Sequence, residues 1–392
     1  MKHWRALCLA ISAALVAVAW GCGGSSGAQQ PPPNGNVLRY ATPGEPDSLD
    51  PGGGISGFDG YYLRAIYDTL MVTDPKTLDP MPGLATSWSF LGADRLTFRL
   101  NLRRGVTFQD GTPFDAAAVK ASMDHYRAQG KWLDLAPVAS EAAVDDYTVD
   151  VHLKSPYAPL PAVLTGRAGM MISPTALQRY GNDFGKNPVG AGPFAFKSWQ
   201  AGAQLDVRKF GGYWQAGKTH LAGITFKVIA NANSTAAAVE AGQIDFAPFT
   251  SSPATILPAL RANSNITTRV VDTLGMAIVT TNNRVAPFNN ALVRRAVNMS
   301  VDRQALSDAV NGKGVGLGPA WQYVPPGYWP YSKDLKNYPF DPGQARQLLA
   351  QAGYPNGVTV QICNYDVNTA PVQIEERTLA QAGITLKISQ EP

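Results

Sequence analysis

The stretch Leu84–Asp124, LATSWSFLGADRLTFRLNLRRGVTFQDGTPFDAAAVKASMD, decides how this chain folds. After an opening turn, Leu96, Phe98, Leu100 and Leu102 alternate with Arg95, Thr97, Arg99, Asn101 and Arg103, and a period of two marks a half-buried strand. Arg104-Gly105 turns the chain into a second short run, Val106 to Phe108, which Asp110-Gly111-Thr112-Pro113 ends. Asp115 can cap a helix whose apolar positions Val119, Met123 and Tyr126 recur at i, i+4 and i+7. Strand, turn, strand, turn and capped helix fill 41 residues with no spare linker.

On the N-terminal side, Val37 to Tyr40 reads as a short strand and Glu45 to Gly53 as a turn-rich loop. Gly52 to Gly60 carries five glycines around Ser56, Phe58 and Asp59. Glycine lets a backbone approach a ligand closely, and it serves a plain loop equally well. Tyr61 to Val72 reads as a helix with Leu63, Ile66, Tyr67 and Leu70 inward. On the C-terminal side, Asp146 to Leu153 alternates again and can pair with the Leu96 strand. Met170-Met171-Ile172 reads as a buried strand, followed by a helix that Ser173-Pro174 opens. Gln243 to Phe246 and the largely apolar Val270 to Thr281 read as strands, the latter interrupted by Gly275. Asn290 and Asp302 are helix caps, Asp302 sharing its claim with Ser300. Asp341-Pro342 through Gly353 is a complete helix with cap, first-turn proline and terminal glycine.

Two nucleotide-like spellings fail on context. Gly190 to Ala195 offers G-x-G-x-x-A, yet Phe194 to Trp199 reads as a strand where a helix should begin. Gly212 to Thr219, GYWQAGKT, fits G-x-x-x-x-G-K-T at every required position. That loop cradles phosphates by opening a helix. Here Ile224, Phe226 and Val228 alternate after it, so a strand follows, and Tyr213 and Trp214 occupy positions that need a compact loop.

With 33 Lys and Arg against 29 Asp and Glu, the formal net charge is +4, and no basic stripe marks a nucleic-acid partner. The histidines are His3, His125, His152 and His220, scattered over the N-terminal segment, the polar side of a helix, an outward strand face and a turn. They form no metal or triad spacing, and H-E-x-x-H, G-x-S-x-G and C-x-x-C are missing. No catalytic residue, metal site or cofactor is therefore expected, and the chain reads as a binder. An exported hydrolase is the alternative, and turnover on peptide or glycoside substrates would identify it. At 392 residues, two or three domains are expected.

Lys2, His3 and Arg5 precede a 14-residue apolar run, Ala6 to Ala19, too short to span a bilayer comfortably. This is the pattern of an export signal over residues 1–21. Cys22 heads a Gly-, Ser- and Pro-rich tether over residues 22–36. Two readings of Cys22 stand side by side: a lipid-anchored N-terminal cysteine, as at bacterial lipoprotein cleavage sites, or a free thiol left by cleavage after Ala19.

The LATSW run, the FRL strand, GVTFQDGTPF and the helix entered through Ala-Ala-Ala-Val resemble the solute-binding proteins of the peptide and nickel class of ABC importers. Further likenesses follow in order. They are Ser48-Leu49-Asp50-Pro51; GAGPF at Gly190–Phe194, where the family has GTGPF; and Gly242-Gln243-Ile244-Asp245. Beyond these lie Asn282 with Pro287-Phe288, VRRAV, Val301-Asp302-Arg303, and DPGQARQLLAQAGY. The resemblance runs from Leu38 to Ile388. It implies a two-lobed α/β periplasmic-binding-protein architecture with an extra domain inserted in the first lobe. The implied division is 37–74 and 189–272 for the first lobe, 75–188 for the inserted domain and 273–392 for the second lobe. It implies capture of a peptide or other small solute by hinge closure and delivery to a membrane permease. The protein would act as a monomer outside the cytoplasm, with a sensor lipoprotein as the alternative. By the same resemblance the ligand contacts are Ser56, Phe58, Asp59, Gly275, Thr280 and Asn282. Family chains continue past the unit that ends here at Ile388, so the resemblance also implies an incomplete second lobe.

Overall fold

Val37–Thr42 (β1) runs through a glycine-rich loop into a short helix, Asp59–Ile66 (α1). The computed structural model describes residues 35–249, 256–271, 278–313, 315, 318–324, 326, 331–335, 337–364 and 369–390. The expected export signal, Cys22, most of the expected tether and Gly275 lie outside the described residues. The helix expected to reach Val72 stops at Ile66, because Tyr67 turns to extended backbone at φ −117° and ψ 139°. Long-range pairing takes over there. The Tyr67 hydroxyl donates to Leu49 O at 2.7 Å, and the Leu70 N–H donates to Gly169 O at 2.8 Å. Met71–Thr73 (β2) then pairs with Pro80–Pro82 (β3).

Next come Ala85–Leu91 (β4), Thr97–Leu102 (β5), Ala116–Gln129 (α2), Val138–Asp145 (β6) and Thr148–Leu153 (β7). The four strands form an antiparallel sheet in the order β4-β5-β7-β6, so the alternating run of β5 is central. Phe98 faces Val151 and Leu100 faces Val149 across the ladder, and all four are fully buried with Val119 and Met123 of α2. Burying each such side chain stabilises by about 1.5–3 kcal/mol. Asp115 caps α2 by accepting from the Ala118 N–H at 2.9 Å, as its sequence position predicts. Two local expectations change. Residues 85–91 form an edge strand with a bulge between Ala85 and Ser87, which blurs the alternation. Val106 to Phe108 contributes a single bridge, Thr107 to Pro113.

After Leu160–Val163 (α3) and Pro174–Tyr180 (α4, capped by Ser173) the chain enters Phe194–Gln200 (β8), Gln204–Lys209 (β9) and Gly223–Val228 (β10). These join β1 in a second sheet, order β1-β10-β9-β8, in which β1 and β10 are parallel with Thr42 opposite Val228. The expected strands at Met170–Ile172 and Gln243–Phe246 reduce to isolated bridges, Thr69 to Met170, Ile172 to Gly190 and Tyr40 to Phe246. GYWQAGKT turns between β9 and β10 as the strand reading requires. The Trp214 indole N–H donates to Asp68 at 2.5 Å, and the Arg103 guanidinium lies 4.2 Å from the Trp214 ring centre.

Ala232–Glu240 (α5) and Ile256–Ala262 (α6) follow. Then come Ala291–Ser300 (α7), Arg303–Asn311 (α8), Pro342–Gln351 (α9), Val358–Asn364 (β11), Thr369–Ala380 (α10) and Ile384–Gln390 (β12). Asn290, Asp302 and Asp341 cap α7, α8 and α9. β11 and β12 form a parallel pair over a third core with Val293, Ala296, Ala345, Leu349 and Ile384. Of the expected Val270–Thr281 strand, residues 272–277 are outside the described set and 278–281 are irregular.

Gln109 fastens the β4–β7 unit to the β1 sheet. Its amide nitrogen lies 2.8 Å from Ile66 O, 3.2 Å from Gly192 O and 2.9 Å from Phe194 O, while its carbonyl accepts the Gly190 N–H at 3.0 Å.

Candidate functional site

In open α/β sheets ligands bind beyond the carboxyl ends of the parallel strands. Here those ends are Thr42 of β1 and Val228 of β10, tied together where the Ile229 N–H donates to Thr42 O at 2.9 Å. A depression of about 80 Å³ opens past them, lined by Thr42, Pro43, Ile229, Thr235 and Phe249 among others. The Thr42 and Tyr62 hydroxyls are 2.7 Å apart, and Tyr62 donates on to Gly44 O at 2.8 Å. Burial pushes the Tyr62 phenol up to about 12, so it stays a neutral donor.

From Pro43 the chain forms the loop that sequence reading singled out. Gly44 lies against the Phe58 ring and Gly54 against the Asp59 carboxylate, so closely that a Cβ at either position would overlap its neighbour. Packing requires the glycine at 54, where Asp59 is enclosed and held, whereas at 44 the exposed Phe58 ring would have to swing aside. The Asp47 carboxylate accepts the Ile55 N–H at 3.2 Å, and the Asp47 N–H donates to Asp59 Oδ1 at 2.9 Å.

Arg167, reached from the turn after α3, holds the tip. Its guanidinium donates to Gly54 O at 3.2 Å, to Ser56 O at 2.9 Å and to Asp59 Oδ2 at 2.9 Å. It lies 4.9 Å from the Trp132 ring centre, and the Trp132 indole N–H donates to Gly54 O at 2.9 Å. Asp59 is fully buried. Burial raises its carboxyl above the ordinary aspartate value, against the opposing pull of Arg167. Both charges of the pair are therefore committed to holding the loop, and what the loop presents outward is Ile55, 65% exposed, and Phe58, 38% exposed.

Ser56, Phe58 and Asp59 thus come together on one loop, in different states. The Ser56 hydroxyl accepts the Phe58 N–H at 3.1 Å, Phe58 faces outward and Asp59 is enclosed. Thr280 and Asn282 lie in the irregular segment after residue 277, both exposed, with Asn282 Oδ1 accepting the Arg284 N–H at 3.1 Å. Among the described residues no hydrogen bond joins this segment to the 43–59 loop. Arg167 and Trp132 were not legible as site residues, because no motif or spacing relates them to the loop they hold. Ile55 was recoverable as an apolar residue inside a glycine run.

Three comparisons bear on this arrangement. The sequence matches the bacterial extracellular solute-binding proteins, family 5 middle, over residues 79–392. The chain belongs to this family. The glutathione-binding protein GsiB of Escherichia coli K12 is 34% identical to this solute-binding protein over 351 residues, covering 87% of this chain and 67% of that one. Among solved structures, the ABC transporter-associated periplasmic binding protein DppA from Helicobacter pylori, in complex with the peptide STSA, superposes with a TM-score of 0.79 at 28% identity. It covers 91% of this chain and 74% of that one. MoaA of A. tumefaciens R10, in complex with mannopinic acid, gives a TM-score of 0.76 at 27% identity, again over 91% and 74%. The fold is that of the two-lobed periplasmic binding proteins, and the relatives are binding proteins rather than enzymes. Among the described residues no group of three or more His, Cys, Asp and Glu is arranged to hold a metal ion, and no helix is long and apolar enough to cross a membrane.

Proposed function

We propose that this solute-binding protein captures peptides for an ABC importer, closing two lobes over the solute and handing it to a membrane permease. The observation that carries the reading is 34% identity to a glutathione-binding protein over 87% of the chain. The first-lobe loop supports it by its chemistry. With Asp59 and Arg167 paired, that face offers shape, apolar contact from Ile55 and Phe58, and main-chain groups, which suits a ligand recognised along its backbone. In this reading the first lobe is 37–74 with 189–272, the inserted domain is 75–188 and the second lobe starts at 273. Ser56, Phe58 and Asp59 shape one wall of the cleft, and Gly275, Thr280 and Asn282 contribute from the crossing segment and the second lobe. An export signal, a lipid anchor on Cys22 and a monomer at the outer face of the membrane complete the proposal.

The likeness to MoaA favours a second reading, a small non-peptide acid as solute. Calorimetric titration of the purified chain with glutathione, the peptide STSA and mannopinic acid separates the two. Saturable binding of either peptide is the expected result; binding of mannopinic acid alone selects the second reading, and no binding of any of the three counts against both.

A further inference from the structure

The loop that carries Ile55 and Phe58 is supported at a second point, upstream of the Arg167 clamp, and that support contains a titratable pair. His125, one turn from the end of α2, places Nε2 2.6 Å from Asp50 Oδ2. The side chains are 15% and 8% exposed. The other Asp50 oxygen accepts the Gly52 N–H at 2.9 Å, and Asp50 O accepts the Gly53 N–H at 3.0 Å, so this one residue shapes the 50–53 turn. The turn rests on α2: a Cβ on Gly52 would fall 3.2 Å from Tyr126 Cα and 3.0 Å from Gln129 Cγ. Lys131, just past the helix, donates to Gly53 O. Gly54, the next residue, is the one that Trp132 and Arg167 grip.

From this geometry we propose that His125 is a positioning residue for the solute site. Its imidazolium holds Asp50 and thereby seats residues 50–59 on α2, so the order of the loop, and through it solute affinity, falls when His125 loses its proton. The effect on affinity rests on the reading of this loop as one wall of the solute site; the effect on loop order does not.

The groups that face the imidazole leave Asp50 as its charged partner. Gln129 Nε2, on its own helix, is 3.2 Å from His125 Nε2, and the Phe184 ring from the 181–186 turn meets it edge-on at 6.2 Å. Tyr67 is a further titratable group near Asp50, and the Lys131 ammonium lies on the same turn at Gly53 O. Full burial, together with the Asp50 charge, holds the Tyr67 phenol well above the ordinary value, so it remains neutral. Deprotonating the imidazole therefore removes an ion pair and leaves at most a neutral hydrogen bond.

The test is amide hydrogen exchange on the full chain, read as protection factors so that the intrinsic pH dependence of exchange is removed. In the unmodified chain, protection across 52–59 is expected to fall by about tenfold between acidic and alkaline buffer, the scale of a charged hydrogen bond in a largely buried site. H125Q keeps a donor that does not titrate, and it should flatten that profile; H125L should lower protection at every pH. Equal pH dependence in the unmodified chain and H125Q overturns the proposal. So does unchanged protection in an H125L chain that melts normally. Where H125L fails to fold, H125Q alone decides. Peptide titrations on the same samples distinguish the two levels. A flattened exchange profile without peptide binding leaves His125 as the loop's seat and removes the peptide reading. Peptide binding with no change in loop exchange removes the role given to His125.

Discussion

The Leu84–Asp124 stretch and the Pro43–Phe58 loop make an instructive pair. The first folds from its own pattern: alternation gives β5, Gly105 and Asp110-Gly111 give turns, and Asp115 caps α2. The second has almost no local pattern and is shaped by partners more than 60 residues away, His125, Lys131, Trp132 and Arg167. Local rules thus build the scaffold, while the face assigned to the solute is fixed by long-range polar contacts. Substitutions in the two regions should differ accordingly.

The largest effect is expected at Arg167. R167L leaves the Asp59 carboxylate buried without its partner and should cost about 3–5 kcal/mol in denaturant unfolding. Adding D59N should recover part of that loss. If R167L alone is neutral, the loop is held by something other than this pair.

Glu141 of β6 supplies the next effect, and it depends on pH. Its side chain is enclosed with Oε1 unpartnered, and burial raises its carboxyl to about 7 despite Arg127 at 2.7 Å. An acid whose folded value lies above its unfolded value loses stability as pH climbs between the two. The chain should therefore weaken from about pH 4.5 to pH 7, by at most about 3 kcal/mol. Melting curves at pH 5 and 8 check this: E141Q should gain on the parent at pH 8, and the gap should close toward pH 5.

Q109A removes the fastening between the two sheets and strands the Gly190 N–H and up to three carbonyls. A loss of about 1–3 kcal/mol is expected from chemical denaturation. The smallest effect is D115A, about 1 kcal/mol for one lost helix cap, with the 43–59 loop untouched. A D115A chain with altered exchange in that loop would blur the contrast between the two regions.

The same contrast explains what could be read from sequence. The β5 strand, its pairing with β7, the caps at Asp115, Asn290, Asp302 and Asp341, and the strand turn inside GYWQAGKT follow from period and punctuation. The overrun of α1 to Val72 has a physical cause: Leu63, Ile66, Tyr67 and Leu70 keep helical spacing, but the backbone beyond Tyr67 finds partners at Gly169 and Leu164. The bulge in β4 hid an edge strand in the same way. Of the candidate site, Ser56, Phe58 and Asp59 drew attention because glycines crowd around them, and their contact with a solute is part of the proposal above. Arg167 and His125 did not, since nothing in TGRAG or MDHYR indicates a partner in a distant loop. The polar side of α2 assigned to His125 is half-buried for that reason.

The central claim is that the 43–59 loop and the segment after residue 277 face one solute. Hydrogen exchange with and without saturating peptide, glutathione or STSA, tests it most directly. The account predicts slower exchange in both 54–60 and 278–284 on adding the peptide that binds. Peptide binding that leaves both segments unchanged, and slows exchange elsewhere, would contradict it.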